Sequence, residues 1–198
     1  MSLVGANWSN TLFASLSGKG FTGSKLMDFT DAVGIGSVTH VVGKGFTTTD
    51  VGLGPGAGAG IGTGVTALTS SVISAAIFNA AASAFGQTGS KLQDVCDSIG
   101  DACVSEMANA TLTSTHAPVG VGTGVVDVGS VAVDAPGWGS DIESQGSGAG
   151  FIGSEWPNFA TAIGIGCAQD VLASGTGTVV ISGGGALPAA GVGVGTVS

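Results

Sequence analysis

The segment TGSKLMDFTDAVGIGSV at residues 22–38 returns as TGSKLQDVCDSIGDACV at residues 88–104, an offset of 66. Thr, Gly, Ser, Lys, Leu, both Asp residues, one Gly and the final Val are identical. A shorter echo, FATAIGIGCA at 159–168, matches FTDAVGIGSV at 29–38. A glycine-rich run follows each copy: GIGTGV at 60–65, GVGTGV at 120–125 and GVGTVS at 193–198. Order, spacing and two motifs agree, so the chain divides into three degenerate units at 1–65, 66–126 and 127–198. Repetition limits the fold more than any other feature. Each unit carries the same apolar face and can bury it only against its neighbours. The expectation is one compact or assembly-dependent domain whose units stack or close around a pseudo-threefold axis.

Local patterns give each unit an expected content. NTLFASLS precedes the first TGSKL, and SSVISAAIFNAAASAF precedes the second; both read as helices, the latter from its alanine content. Ser24 and Ser90 are expected N-caps of the helix that follows, with Ser90 and Gln93 spaced as a capping box. That helix buries Leu26, Phe29 and Val33 in copy one, and Leu92, Val95 and Ile99 in copy two. Gly34 and Gly36 are expected to weaken or end it. The G-x-G-x-G runs alternate apolar side chains with bare Cα atoms and read as thin strands. In the third unit VDVGSVAV reads as a strand. The Gly-, Ser- and acid-rich stretch after it reads as a long surface loop in place of the unit's first helix. The fold class expected is therefore α+β, with helices followed by Gly-rich strands or extended loops in each unit.

Charge and composition exclude several functions. The chain of 198 residues has 38 glycines, a net charge of −9 and a mean hydropathy of +0.54. That hydropathy argues against a solvated, disordered chain. Its cations are Lys19, Lys25, Lys44 and Lys91, with no arginine, so direct contact with DNA or RNA phosphates is not expected. No secretory leader is visible in MSLVGANWSN. Residues 51–90 are free of charge, and the apolar segment at 65–85 is nominally long enough to cross a bilayer. Its Thr, Ser and Asn content favours a buried or interface helix, with membrane association as the alternative.

Candidate sites are weak. GKGFTGSK at 18–25 lies one transposition from a phosphate-binding loop, but the order is Ser24-Lys25, and copy two has Ala84 where the first glycine belongs. A turn followed by a helix start explains both copies. GPGAGAGIGTG at 54–64 overlaps dinucleotide fingerprints only as a glycine-rich run must. His40 and His116 occupy non-equivalent repeat positions, and His40 aligns with Glu106; neither is tied to a nucleophile by spacing. Asp94, Cys96, Asp97, Asp101 and Cys103 read as the acidic face of a helix more readily than as ligands. Cys103 and Cys167 align with Ser37, so a tight threefold packing could bring them together as a disulfide; buried free thiols are the other reading. Trp138 and Trp156 lie in an acidic, Gly-rich segment and are either half-buried or partner anchors. No catalytic, cofactor-binding or metal-ligating residue is assigned, and no enzyme activity or cofactor is expected.

The GIGTGV, GVGTGV and GVGTVS ends and the paired TGSKL helices resemble, in style across the chain, glycine-rich structural proteins of tailed-phage virions. The resemblance implies a non-enzymatic role in capsid, neck, tail or baseplate. Its partners would be other virion subunits, including copies of itself, and its location the virion after synthesis in the host cytoplasm. A small ligand-binding or enzymatic domain is the remaining alternative.

Overall fold

The computed structural model describes the backbone of residues 3–53, 58–65, 67–116, 125–174, 176–182 and 189–197, and the side chains of residues 3–45, 65, 67–111 and 133–173. Among the described residues six helices fall into three pairs: α1 Gly5–Gly18 with α2 Leu26–Val41, α3 Ser70–Phe85 with α4 Ser90–Asn109, and α5 Ala135–Gly148 with α6 Glu155–Ser174. Each helix packs against the next, and α6 packs back against α1. The three units therefore close into a ring, and do not stack.

Apolar spacing explains the packing. The first helix of each pair buries one stripe: Trp8, Leu12 and Leu16 on α1, Ile73, Ile77 and Ala81 on α3, Trp138 and Ile142 on α5. Every helix is flanked by two others, one of its own pair and one of a neighbouring unit. The second helix of each pair buries the wider arc, as Phe29, Thr30, Ala32, Val33, Gly34, Gly36 and Ser37 show on α2. Each large apolar side chain in this core contributes about 1.5–3 kcal/mol.

Gly34 and Gly36 lie inside α2 and do not end it. They are there because two backbones touch. A Cβ on Gly34 would sit 2.5 Å from the Gly5 carbonyl oxygen and 2.9 Å from the Ser9 nitrogen. Gly100 meets the Ser70 oxygen of α3 in the same way at 2.7 Å, and Gly164 meets the backbone of Gly139 on α5. These glycines set the close crossing within each pair. Gly36 touches Ile77 of α3, and Gly166 touches Leu12 of α1, so glycines set the crossing at two of the three junctions between units, while α4 carries the buried Ala102 at the equivalent position.

After each helix pair come two described strands, β1 Gly45–Leu53 with β2 Gly58–Val65, β3 Thr111–His116 with β4 Val125–Ala132, and β5 Thr176–Ser182 with β6 Ala189–Val197. Neighbours pair antiparallel, and β6 pairs with β1. The expected α+β class is nevertheless overturned, because the packed body is all-helical. The described buried side chains lie on the six helices, next to a helix end as Leu3 and Ala110 do, or at the end of β2 as Val65 does. Among the residues with described side chains, no strand takes part beyond an end residue. The physical reason is that the helices carry their large apolar residues at helical spacing, which gives each of them a stripe to bury against its neighbours.

Other expectations change too. The long loop expected in the third unit is largely α5. Asp134 stands at its N-cap and Pro136 in its first turn, where the missing N–H costs nothing. The unit boundary drawn at 126/127 falls inside β4. Neither Ser24 nor Ser90 caps a helix. Lys25 and Gly89 hold those positions, and Gln93 turns instead to Ser74 and Asp97. The apolar segment at 65–85 becomes α3 and buries Ile73 and Ile77 against the ring. Among the described residues no helix is long and apolar enough to cross a membrane.

Candidate functional site: the turn end of the ring

The turns inside the three helix pairs gather at the end of the ring away from the strands. They read GFTGSK at 20–25, GQTGSK at 86–91 and GFIGSE at 150–155. Gly20, Gly86 and Gly150 have φ of +88°, +65° and +88°, a conformation open to glycine. The third unit thus repeats the whole turn and not only the helix from Phe159 onward. The spacing of 130 between Gly20 and Gly150 carries that signal in the sequence. It is masked because Thr22, Lys25 and Leu26 become Ile152, Glu155 and Trp156.

The lysines of the phosphate-loop-like stretch are used within the chain. Lys25 Nζ donates to the Phe85 carbonyl at 3.2 Å and pairs with Asp28 at 3.0 Å. Lys91 Nζ donates to the Ala149 carbonyl at 2.9 Å and pairs with Asp94 at 3.2 Å. Each lysine thereby caps the C-terminal end of the next unit's first helix, where carbonyls lack partners and the helix dipole favours a cation. Glu155 occupies the third equivalent position.

Aromatic rings fill the centre of this end. Phe151 stacks on Trp156 at 4.6 Å and Trp156 on Phe159 at 5.6 Å, while Phe159 meets Phe21 edge-on at 5.4 Å and Phe29 at 5.8 Å. Lys91 Nζ stands 5.0 Å from the centre of the Phe151 ring. The Trp156 indole N–H donates to the Glu143 carbonyl. An open recess of about 490 Å³ remains, walled by Phe21, Val95, Phe151, Trp156 and Phe159 and rimmed by Ile152 and Glu155. Its size and apolar walls suit a buried apolar group.

The other singled-out residues do not converge there. His40 is half-buried near the C-terminal end of α2, and the side chain of His116 lies outside the described residues. Asp94 pairs with Lys91, and Asp97 accepts from Ser74 and Gln93. Ser9 donates to Asp31 in the equivalent place on the first pair. Asp101 is half-buried. Among the described residues no group of three or more His, Cys, Asp or Glu could hold a metal. Trp138 is not half-buried but fully enclosed, edge-on to Trp8 at 6.2 Å. Trp156 is buried as well, at 9% exposure, and forms a wall of the recess.

The proposed Cys103–Cys167 bridge is not formed, and Cys96, Cys103 and Cys167 are all free and buried. Burial pushes the Cys96 thiol up to about 12, helped by the charge of Asp97. It pushes Cys167 up to about 12 as well, against the pull of the Trp8 N–H and with a further push from Asp170. Cys103 is driven up by burial and then by Cys167. These thiols stay protonated and unreactive.

His40, Glu106 and Asp170 occupy equivalent positions near the opposite end of the ring. Glu106 is 8% and Asp170 3% exposed. Glu106 Oε1 and Asp134 Oδ2 both crowd Gly137, each 2.8 Å from where its Cβ would stand. Burial, then Asp141 and Asp134, raise the Glu106 carboxyl above its usual range. Burial alone raises that of Asp170, whose Oδ2 has no hydrogen-bond partner among the described residues.

Compared with known protein families, curated proteins and solved structures, the chain matches none.

Proposed function

We propose that this chain is a non-enzymatic structural component of a phage virion, in the capsid, neck, tail or baseplate, acting through contacts with other subunits. The closed ring of three related helix pairs carries this reading. One chain with that shape offers a near-threefold surface to its surroundings, which suits a component on a threefold axis of a larger particle. The glycine-rich, charge-poor composition supports it, since glycine gives close backbone contact and assembly can offset its entropic cost. Mass spectrometry of purified virions from the source, followed by imaging of the particle, tests the reading. Stoichiometric recovery in the particle is expected. Recovery only from the infected-cell lysate, with none in washed particles, would overturn it.

A further inference from the structure

We propose that the turn end of the ring is a docking surface for a second copy of this chain, with Ile152 of each copy seated in the aromatic recess of the other. Ile152 is 90% exposed, the most exposed of the large apolar side chains described. It stands at the rim of the recess formed by Phe21, Val95, Phe151, Trp156 and Phe159. A twofold contact needs a patch that complements itself, and a protruding apolar side chain beside an apolar hole is such a patch.

The repeat supplies a second argument. The equivalent turns carry Thr22 and Thr88 where the third carries Ile152. The turn therefore forms without isoleucine, and burial within the chain does not account for a side chain left 90% exposed. Three departures of the third turn from the other two, Ile152, Glu155 and Trp156, all line the recess.

Charge supplies the third. The equivalent windows 18–28, 84–94 and 148–158 contain Lys19, Lys25 and Lys91 against Asp28, Asp94 and Glu155, and so carry no net charge. The whole net charge of −9 lies elsewhere on the chain. Two copies repel one another through their acidic parts and approach without that cost at the turn end. The recess is apolar inside, and Ser154 and Glu155 bring polar groups to its edge beside Ile152, a mixture common at protein interfaces.

Sedimentation equilibrium on the intact chain, from micromolar to millimolar concentration, tests the proposal. The mass should rise from 18.7 kDa towards twice that value. Added salt should leave the dimer intact, because the contact is apolar and the repulsion it opposes is screened. Ile152→Asp should weaken dimerisation by about a hundredfold or more, since each dimer loses two buried isoleucines. Ile152→Thr restores the residue of the other two turns and secures the fold; it should weaken dimerisation in the same direction. Ile152→Val should retain the dimer. A chain that stays at 18.7 kDa at millimolar concentration overturns the proposal, including the case in which the recess serves a different protein. So does an oligomer that survives both Ile152→Asp and Ile152→Thr. A monomer would leave the virion reading standing, so the two can fail separately.

Discussion

Glycine does opposite things at different places in this chain, and the difference is measurable. In a helix interior, Gly→Ala normally gains about 1 kcal/mol. At Gly34 the new methyl would press on the Gly5 and Ser9 backbone, which cannot rotate away as a side chain can. Gly34→Ala and Gly100→Ala should therefore cost about 1–3 kcal/mol by chemical denaturation. Gly148→Ala, with nothing within 4 Å of the new atom, should be neutral or slightly stabilising. Equal losses at all three positions would discard the close-crossing account. The buried acids make a second prediction. The raised carboxyls of Glu106 and Asp170 mean that the folded chain holds these protons more tightly than the unfolded chain does. Their stabilising contribution is complete below the ordinary carboxylate range and is lost as pH rises through the raised values. Melting temperature should fall over that interval. Glu106→Gln and Asp170→Asn should each flatten the fall and raise stability at neutral pH; an unchanged slope in both variants would contradict the assignment.

At the scale of elements, the lysine caps test the equivalence of the units. Lys25→Ala and Lys91→Ala should each cost about 0.5–1 kcal/mol, less in high salt, and should add in the double variant because they cap different helices. Glu155→Lys places a cation where α1 ends but removes the acid from the first turn of α6, so the two opposed effects should leave thermal stability within about 0.5 kcal/mol of the parent. A larger loss of stability there would show that the third turn is built differently. Much of this level was legible in the sequence. The TGSKL repeat located α2 and α4, and the alanine-rich run located α3. Helix α5 was not legible, because Gly137, Gly139, Gly146 and Gly148 read as loop residues. In the fold, Gly139 lies against Thr161 on α6, and Gly146 leaves room for the Trp156 ring. Propensity marked those glycines as breakers, and tertiary contact used them as spacers. The recess was hidden for a related reason. Phe21 is far in sequence from Phe151 and Phe159, and Phe159 was visible only as part of the third, shortened repeat.

For the molecule as a whole, threefold repetition was legible, whereas ring closure was not, since it depends on how closely Gly36 meets Ile77 and Gly166 meets Leu12. The all-helical core was likewise obscured by the regular alternation in the glycine-rich runs. That alternation marks extended backbone without saying whether it has anything to bury. Closure also bears on chain order. The contact of α6 with α1 is of the same kind as that of α2 with α3. A circular permutant that joins Ser198 to Met1 and opens the chain between β2 and α3 keeps every pairing of neighbouring helices. It should fold with a melting temperature within a few degrees of the parent. A permutant that fails to fold would mean that one junction of the ring is unlike the other two. For the molecule that the ring describes, first and last are labels of the gene and not of the architecture: any of the three units could lead, and the same object would result.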